Sequence, residues 1–225
     1  MGTGCDIVFR GVFRIRFIAF RCIVVFFFSS RRRHTRSSTV SWARRLYKRQ
    51  RRVWDTFYGR RQAVNLGFNS DQTDNVLWRL QHGEIDGITP KLAIVMIGTN
   101  NATRREDPPE ETAAGVHAIL TTLRTRLPQT KILLLAVFPR GQSANDQLRR
   151  VNQAVNERLR AFADQRHVFF LDLGPRFLDK AGRLSEEVMP DALHPNERGY
   201  RLWACLLYTS PSPRDRTRSR MPSSA

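Results

Sequence analysis

"KLAIVMIGTNN", residues 91–101, sets six apolar residues in succession, Leu92 to Ile97, between a lysine and a glycine. An unbroken apolar run of this length, closed by a turn residue, reads as a strand covered on both faces, and such strands belong to parallel sheets flanked by helices. This run is therefore expected to lie at the centre of a sheet.

Its neighbours support that reading. Upstream, "AVNLGF" (63–68) reads as a short buried strand, and "TDNVLWRLQHGEIDG" after it places Val76, Leu77 and Leu80 at helical spacing. Downstream, "EETAAGVHAILTTLRTRL" (110–127) carries Ala113, Val116, Ile119, Leu120, Leu123 and Leu127 on one helical face. "KILLLAVFPRG" (131–141) reads as a second buried strand, and 145–165 as a helix through Leu148, Val151, Val155, Leu159 and Phe162. "HVFFLDLG" (167–174) gives a further strand, and "NERGYRLWA" a final helix ending at Ala204. The order β-α-β-α-β-α-β specifies an α/β domain with a parallel sheet.

At 225 residues the chain suffices for one such domain. Its net charge of +18 would ordinarily indicate a polyanionic partner, yet the charge is unevenly spread. Residues 1–50 hold 12 Lys or Arg against Asp6 alone, and residues 205–225 hold 4 Arg against Asp215. What lies between carries 22 basic and 18 acidic residues. The basicity thus belongs to the ends, as do Cys5, Cys22 and Cys205, which have neither metal-ligand nor paired spacing. The apolar stretch "FRGVFRIRFIAFRCIVVFFF" carries Arg10, Arg14, Arg16 and Arg21, each costly at a bilayer centre, and is read neither as a membrane span nor as a signal peptide.

The flanks have a further peculiarity in nucleotide space. "SRRRHTR" (30–36) and "SRMPSSA" (219–225) back-translate into reverse complements, and so do "VSWARR" (40–45) and "SPSPRD" (210–215). "CLLYTS" (205–210) is what one frame of a transposon mosaic end encodes. Residues 1–50 are therefore read as a non-native extension, resembling translated sequencing adapter from about 29 and of no readable origin before it, and 205–225 as an adapter-like tail, which leaves 51–204 as the informative domain.

In sheets of this kind the active site lies beyond the carboxyl ends of the strands. Three stretches are expected there: "NLGFNSD" (65–71), "GTNN" (98–101) and "DALHP" (191–195). Asp191 precedes His194 by one turn, close enough to hold the imidazole Nδ1–H and leave Nε2 to take a proton. Asn100 can donate to a developing oxyanion, and Gly67 can offer its backbone N–H. A solvated loop Asp and His, a turn asparagine and a turn glycine are the plain alternatives.

With these motifs in place, 51–204 resembles the SGNH (GDSL) hydrolase family, and "VWDTFYGRRQAVNLGF", "KLAIVMIGTNN" and "MPDALHPNERGY" look most like its platelet-activating-factor acetylhydrolase-like branch. The resemblance implies a flavodoxin-like three-layer α/β/α sandwich and ester hydrolysis through an acyl-enzyme, without metal or cofactor. It implies Gly67 and Asn100 as the oxyanion hole, His194 as general base and Asp191 as the residue orienting it. It implies a small ester substrate, acetylated lipid or carbohydrate, and no nucleic acid. "FNSD" departs from the glycine-rich "GGD" usual after Gly67, and the Gly-x-Ser-x-Gly elbow of α/β-hydrolases is absent. The family's serine belongs to a Gly-Asp-Ser motif after the first strand, upstream of "VWDTFYG", and no such tripeptide occurs in this sequence.

Ser29, Ser30 and Ser41 are the upstream serines, and none follows Gly-Asp. The first strand of this fold lies between the second and third, so its loss would leave two rows of backbone groups unpaired, each at about 1–3 kcal/mol. The domain is then expected not to fold unless "DIVF" (6–9) or "IVVFFF" (23–28) takes the strand's place. A non-catalytic relative of the family and a nucleic-acid binder using the basic ends are the competing readings. Trp54, Phe57, Tyr58 and Trp78 are candidates for an acyl pocket or for core, and Arg140 for an anionic substrate group or solvent.

Overall fold

The structure, a computed structural model, describes residues 6–8, 14–16, 23–26, 53–58, 63–68 and 70–209. Five strands form one parallel sheet: β3 (Ile23–Phe26), β4 (Ala63–Asn65), β5 (Leu92–Val95), β6 (Lys131–Leu135) and β7 (Val168–Leu171). Two earlier strands, β1 (Asp6–Val8) and β2 (Arg14–Arg16), make a separate antiparallel ribbon. The sheet order is β4-β3-β5-β6-β7, so the run around Ile94 is the middle strand, as its composition requires.

The slot of the first strand is filled. Ile23–Phe26 pairs on one side with Ala63–Asn65 and on the other with Leu92–Val95, in register Val24↔Val64 and Val24↔Ala93. Of the two outcomes the sequence left open, a missing or a replaced first strand, the structure shows the second: "IVVF" takes the place, while "DIV" pairs elsewhere. The physical reason is that a central parallel strand is selected by unpaired backbone on both sides and by apolar, β-branched character, and "IVVF" supplies both.

Alternation along β5 separates two layers of core. Leu92, Ile94 and Met96 face one side, packed with Leu133, Phe169, Tyr58, Phe177 and Trp203. Ala93, Val95 and Ile97 face the other, packed with Val76, Leu80, Val116, Ile119, Leu123, Val155 and Leu159. That second layer consists of α1 (Thr73–Gln81), α2 (Pro109–Arg126) and α3 (Gln147–Arg160). The first consists of a short helix within 53–58 and the C-terminal α4 (Glu197–Thr209). The result is an α/β/α sandwich.

Several boundaries differ from the sequence reading. β4 is an edge strand and half-buried rather than buried. The helix after it stops at Gln81, and the one after β6 at Arg160. α4 does not end at Ala204 but continues to Thr209, because Leu207, 1% exposed, extends the buried face of Tyr200, Trp203 and Ala204 by another turn. In α3 the buried residues are Arg149, Asn152, Val155 and Leu159, so two polar side chains occupy the face where Leu148 and Val151 were expected. Of the candidate aromatics, Tyr58 is core, Trp54 and Phe57 pack against it, and Trp78 is 60% exposed and stacked on His82. Among the described residues no helix is long and apolar enough to cross a membrane.

Candidate active site

Parallel strands bring the loops after β4, β5 and β6 to one edge of the sheet, and the 191–195 loop reaches the same edge. After β5 the chain turns sharply. Gly98 takes a φ of +129°, which a side chain would oppose, and Asn101 N–H donates to Gly98 O at 3.1 Å. The turn is then locked to α1. Asn101 accepts from Thr73 N–H at 3.1 Å and donates to Thr73 Oγ1 and Asp107 Oδ2, each at 2.9 Å. Asn100, the next side chain outward, donates one carboxamide N–H to Asp71 O at 2.9 Å.

Asp191 and His194 meet as their spacing predicts. Asp191 Oδ1 accepts from the backbone N–H of Leu193 at 3.1 Å and of His194 at 2.6 Å, which folds the loop into one turn. Asp191 Oδ2 lies 2.8 Å from His194 Nδ1. Partial burial would raise the Asp191 carboxyl, but the His194 N–H, the His194 ring and the Leu193 N–H outweigh it, so it is held below the usual carboxylate range. It therefore stays ionised and fixes the imidazole tautomer with the proton on Nδ1.

Stitches on both sides hold this loop. Gly141 N–H donates to Ala192 O at 3.0 Å, and Asn196 N–H to Val188 O at 2.9 Å. At Gly199 any Cβ would stand 2.4 Å from Val188 O, so only glycine lets α4 approach the loop this closely.

Asn100 and His194 stand in the wall of one open cleft, floored by Phe138, Tyr200 and Trp203. The aromatic floor is continuous: Phe138 meets Trp203 edge-on at 5.1 Å and Phe177 at 4.5 Å. Gly67 is not part of that wall. Its N–H donates to Asn65 Oδ1 at 3.0 Å, and it connects to Asn100 through the 66–71 loop, where Asp71 binds Arg79 at 2.8 Å and Phe68 N–H at 2.8 Å. Arg140 is half-buried, next in sequence to the cleft-lining Pro139, bonded to Thr103 Oγ1 and within the field of the Asp146 and Asp191 carboxylates. Among the described residues no group of three His, Cys, Asp or Glu side chains is placed to hold a metal ion. Ser29, Ser30 and Ser41 lie outside the described residues.

Sequence reasoning missed Arg149, Asn152 and Asn156. Asn152 Nδ2 donates to Phe138 O at 3.1 Å, and Asn156 brackets Val137, accepting from its N–H at 2.7 Å and donating to its O at 2.9 Å. The signal was present as polar residues at helical spacing on the stripe of Val155 and Leu159, which a count of apolar positions passes over.

Residues 33–202 match the GDSL-like Lipase/Acylhydrolase family. The chain is 38% identical over 149 residues to the human platelet-activating factor acetylhydrolase IB subunit alpha1, covering 66% of this chain and 63% of that one. It is 38% identical over 152 residues to the rat alpha2 subunit, covering 67% and 65%. The chain therefore spans less than two thirds of the length of these relatives. Among solved structures, a GDSL-like lipase from Bacteroides thetaiotaomicron superposes with a TM-score of 0.64 at 16% identity, over 84% of this chain and 87% of that one. A mutant acetyl-xylooligosaccharide esterase from Geobacillus Stearmophilus gives 0.57 at 14% identity, over 81% and 89%. At such identities the likeness concerns the fold, while the family match and the mammalian relatives concern descent; the chain belongs to the GDSL-like lipase/acylhydrolase family.

Proposed function

We propose that the domain is the acylhydrolase unit of a serine esterase that removes small, acetyl-like groups from a lipid or carbohydrate. The observation that carries this reading is the Asp191–His194 pair, 2.8 Å apart, in the same cleft as Asn100. With Nδ1–H held by an ionised carboxylate, the basic nitrogen is Nε2, which takes the proton of an attacking hydroxyl and returns it to the leaving oxygen. Asn100 carries two carboxamide N–H bonds. One is committed to Asp71 O, and the second is assigned to the oxyanion. Gly67 supplies a backbone N–H to the same oxyanion once the Asn65 side chain yields it. The acetyl preference is supported by the names of the acetylhydrolase and acetyl-esterase relatives and by the aromatic floor close beneath the two polar groups.

The nucleophile is the exception. The sequence holds no Gly-Asp-Ser, and we read residues 1–50 and 205–225 as non-native flanks that displaced it. A catalytic constellation without its nucleophile retains only residual catalysis from binding and the oxyanion hole. The chain is thus expected to hydrolyse p-nitrophenyl acetate close to background and to resist a fluorophosphonate serine probe. Strong labelling that disappears in His194→Ala would overturn the reading of a missing nucleophile, and strong hydrolysis unaffected by His194→Ala would overturn the assignment of the base.

A further inference from the structure

Arg149 is a charged side chain only 1% exposed, and among the described residues no carboxylate is hydrogen-bonded to its guanidinium, Asp146 acting on it only through space. Its hydrogen bonds there go to backbone carbonyls instead. Nε donates to Arg140 O at 2.9 Å, and the two terminal nitrogens reach Gly182 O, at 2.6 Å, and Gly141 O. Burying a guanidinium costs several kcal/mol unless its donors are satisfied, and the plain solution at a core position would be a leucine. The side chain is not there for packing alone.

Arg149 is the first rung of a ladder. Asn152 and Asn156 stand one and two turns further along α3, and the three side chains together grip Val137, Phe138, Arg140 and Gly141 in order. This segment has left the sheet at Leu135, so the Val137 N–H and the carbonyls of Val137, Phe138, Arg140 and Gly141 are satisfied by those side chains instead of by a neighbouring strand. It also joins the two halves of the site. Phe138 and Pro139 line the cleft, Asn152 reaches across to Thr99 Oγ1 beside Asn100 at 3.4 Å, and Gly141 N–H holds Ala192 O between Asp191 and His194.

We propose that Arg149, with Asn152 and Asn156, is a positioning residue: the ladder fixes the 137–141 segment, and that segment sets the distance between the Asp191–His194 loop and the Asn100 turn. The final link, from loop geometry to proton transfer, rests on the reading of His194 as the base. The ladder itself does not.

The test uses the full chain labelled with 15N, as wild type, Arg149→Met and Arg149→Lys. Methionine keeps the volume and removes the donors, and lysine keeps the charge but cannot reach three carbonyls as a planar fork does. Hydrogen exchange at the Gly141 amide is expected to accelerate about ten-fold or more in Arg149→Met while the α3 amides of Val155 and Leu159 stay within about two-fold of wild type. The His194 ring signals are expected to shift or broaden in the same variant, and Arg149→Lys to fall between the two on both measures. Equal acceleration at Gly141, Val155 and Leu159 would mean a merely structural arginine and would overturn the proposal, as would unchanged His194 signals. Should Arg149→Met fail to fold, Asn152→Ser is read by the same two measures. Hydrolysis enters neither, so failure of the esterase reading and failure of the ladder are told apart.

Discussion

Gly98→Ala is expected to be costly for two separable reasons. The backbone at Gly98 has a φ of +129°, a conformation in which a side chain costs about 1–3 kcal/mol. An added Cβ would also lie 3.0 Å from Thr112 Cγ2 and 3.4 Å from Val137 Cγ2. Thr112 is fully buried and cannot swing aside, so the contact adds overpacking of about 1 kcal/mol or more. The sum is about 2–4 kcal/mol. With a urea m-value of about 2 kcal/mol/M, the unfolding midpoint should fall by about 1–2 M. Gly87→Ala is the control with open space: its φ is +73°, close to the left-handed region that L-residues can enter, with nothing within 4 Å of the added Cβ, so it sets a lower bound on the backbone cost. Urea melts of the three chains decide the matter. A Gly98→Ala midpoint no lower than that of Gly87→Ala would refute the claim that close packing of the Asn100 turn against α2 matters.

Val24→Pro tests the replaced strand: β3 pairs on both sides, so proline removes a ladder donor and crowds a neighbour, and the cooperative urea transition should be lost or weakened by about 3 kcal/mol. A midpoint equal to wild type would show that Ile23–Phe26 is not the central strand. Asp164 accepts three backbone N–H bonds, from Arg166 at 2.8 Å, His167 at 2.6 Å and Val168 at 2.8 Å. Partial burial opposes them, but these bonds prevail and hold its carboxyl below the usual range. A depressed folded-state value contributes stability above the unfolded carboxyl pKa of about 3.9, and that stability is lost as pH falls through the folded value. The midpoint difference between wild type and Asp164→Ala should therefore be largest at neutral pH and shrink in acid. A difference independent of pH would contradict the assignment.

The parts of the fold legible in the sequence are those where apolar period and burial coincide. Leu92–Ile97 announces a two-sided strand, and Val116, Ile119 and Leu123 announce a helix face, because in each case transfer from water decides the conformation. The D-x-x-H turn was legible because a carboxylate three residues before an amide closes on it locally, with no tertiary information needed. What was not legible depends on partners distant in sequence. The sequence offered both "DIVF" and "IVVFFF" for the first strand's place, and only the pairing with β4 and β5 decides for the second, while Arg149 is buried because a loop eight residues upstream presents carbonyls to it. The last turn of α4 likewise follows the core, with Leu207 packing whatever the origin of its codon. Gly67 was read from its place after a strand, and the engagement of its N–H by Asn65 could only be seen in three dimensions.

The most direct test of the central claim restores what the sequence lacks. Phe28, Ser29 and Ser30 follow β3 in sequence, and Phe28→Gly with Ser29→Asp gives them the family's Gly-Asp-Ser order. Hydrolysis of p-nitrophenyl acetate is then measured for the parent chain, the doubly substituted chain, and that chain carrying His194→Ala. If β3 stands in for the first strand and His194 is the base, the double substitution raises the rate above the parent, and His194→Ala removes the gain, on the order of a thousand-fold for a competent triad. Equal rates in all three chains, or a gain that survives His194→Ala, would contradict the account.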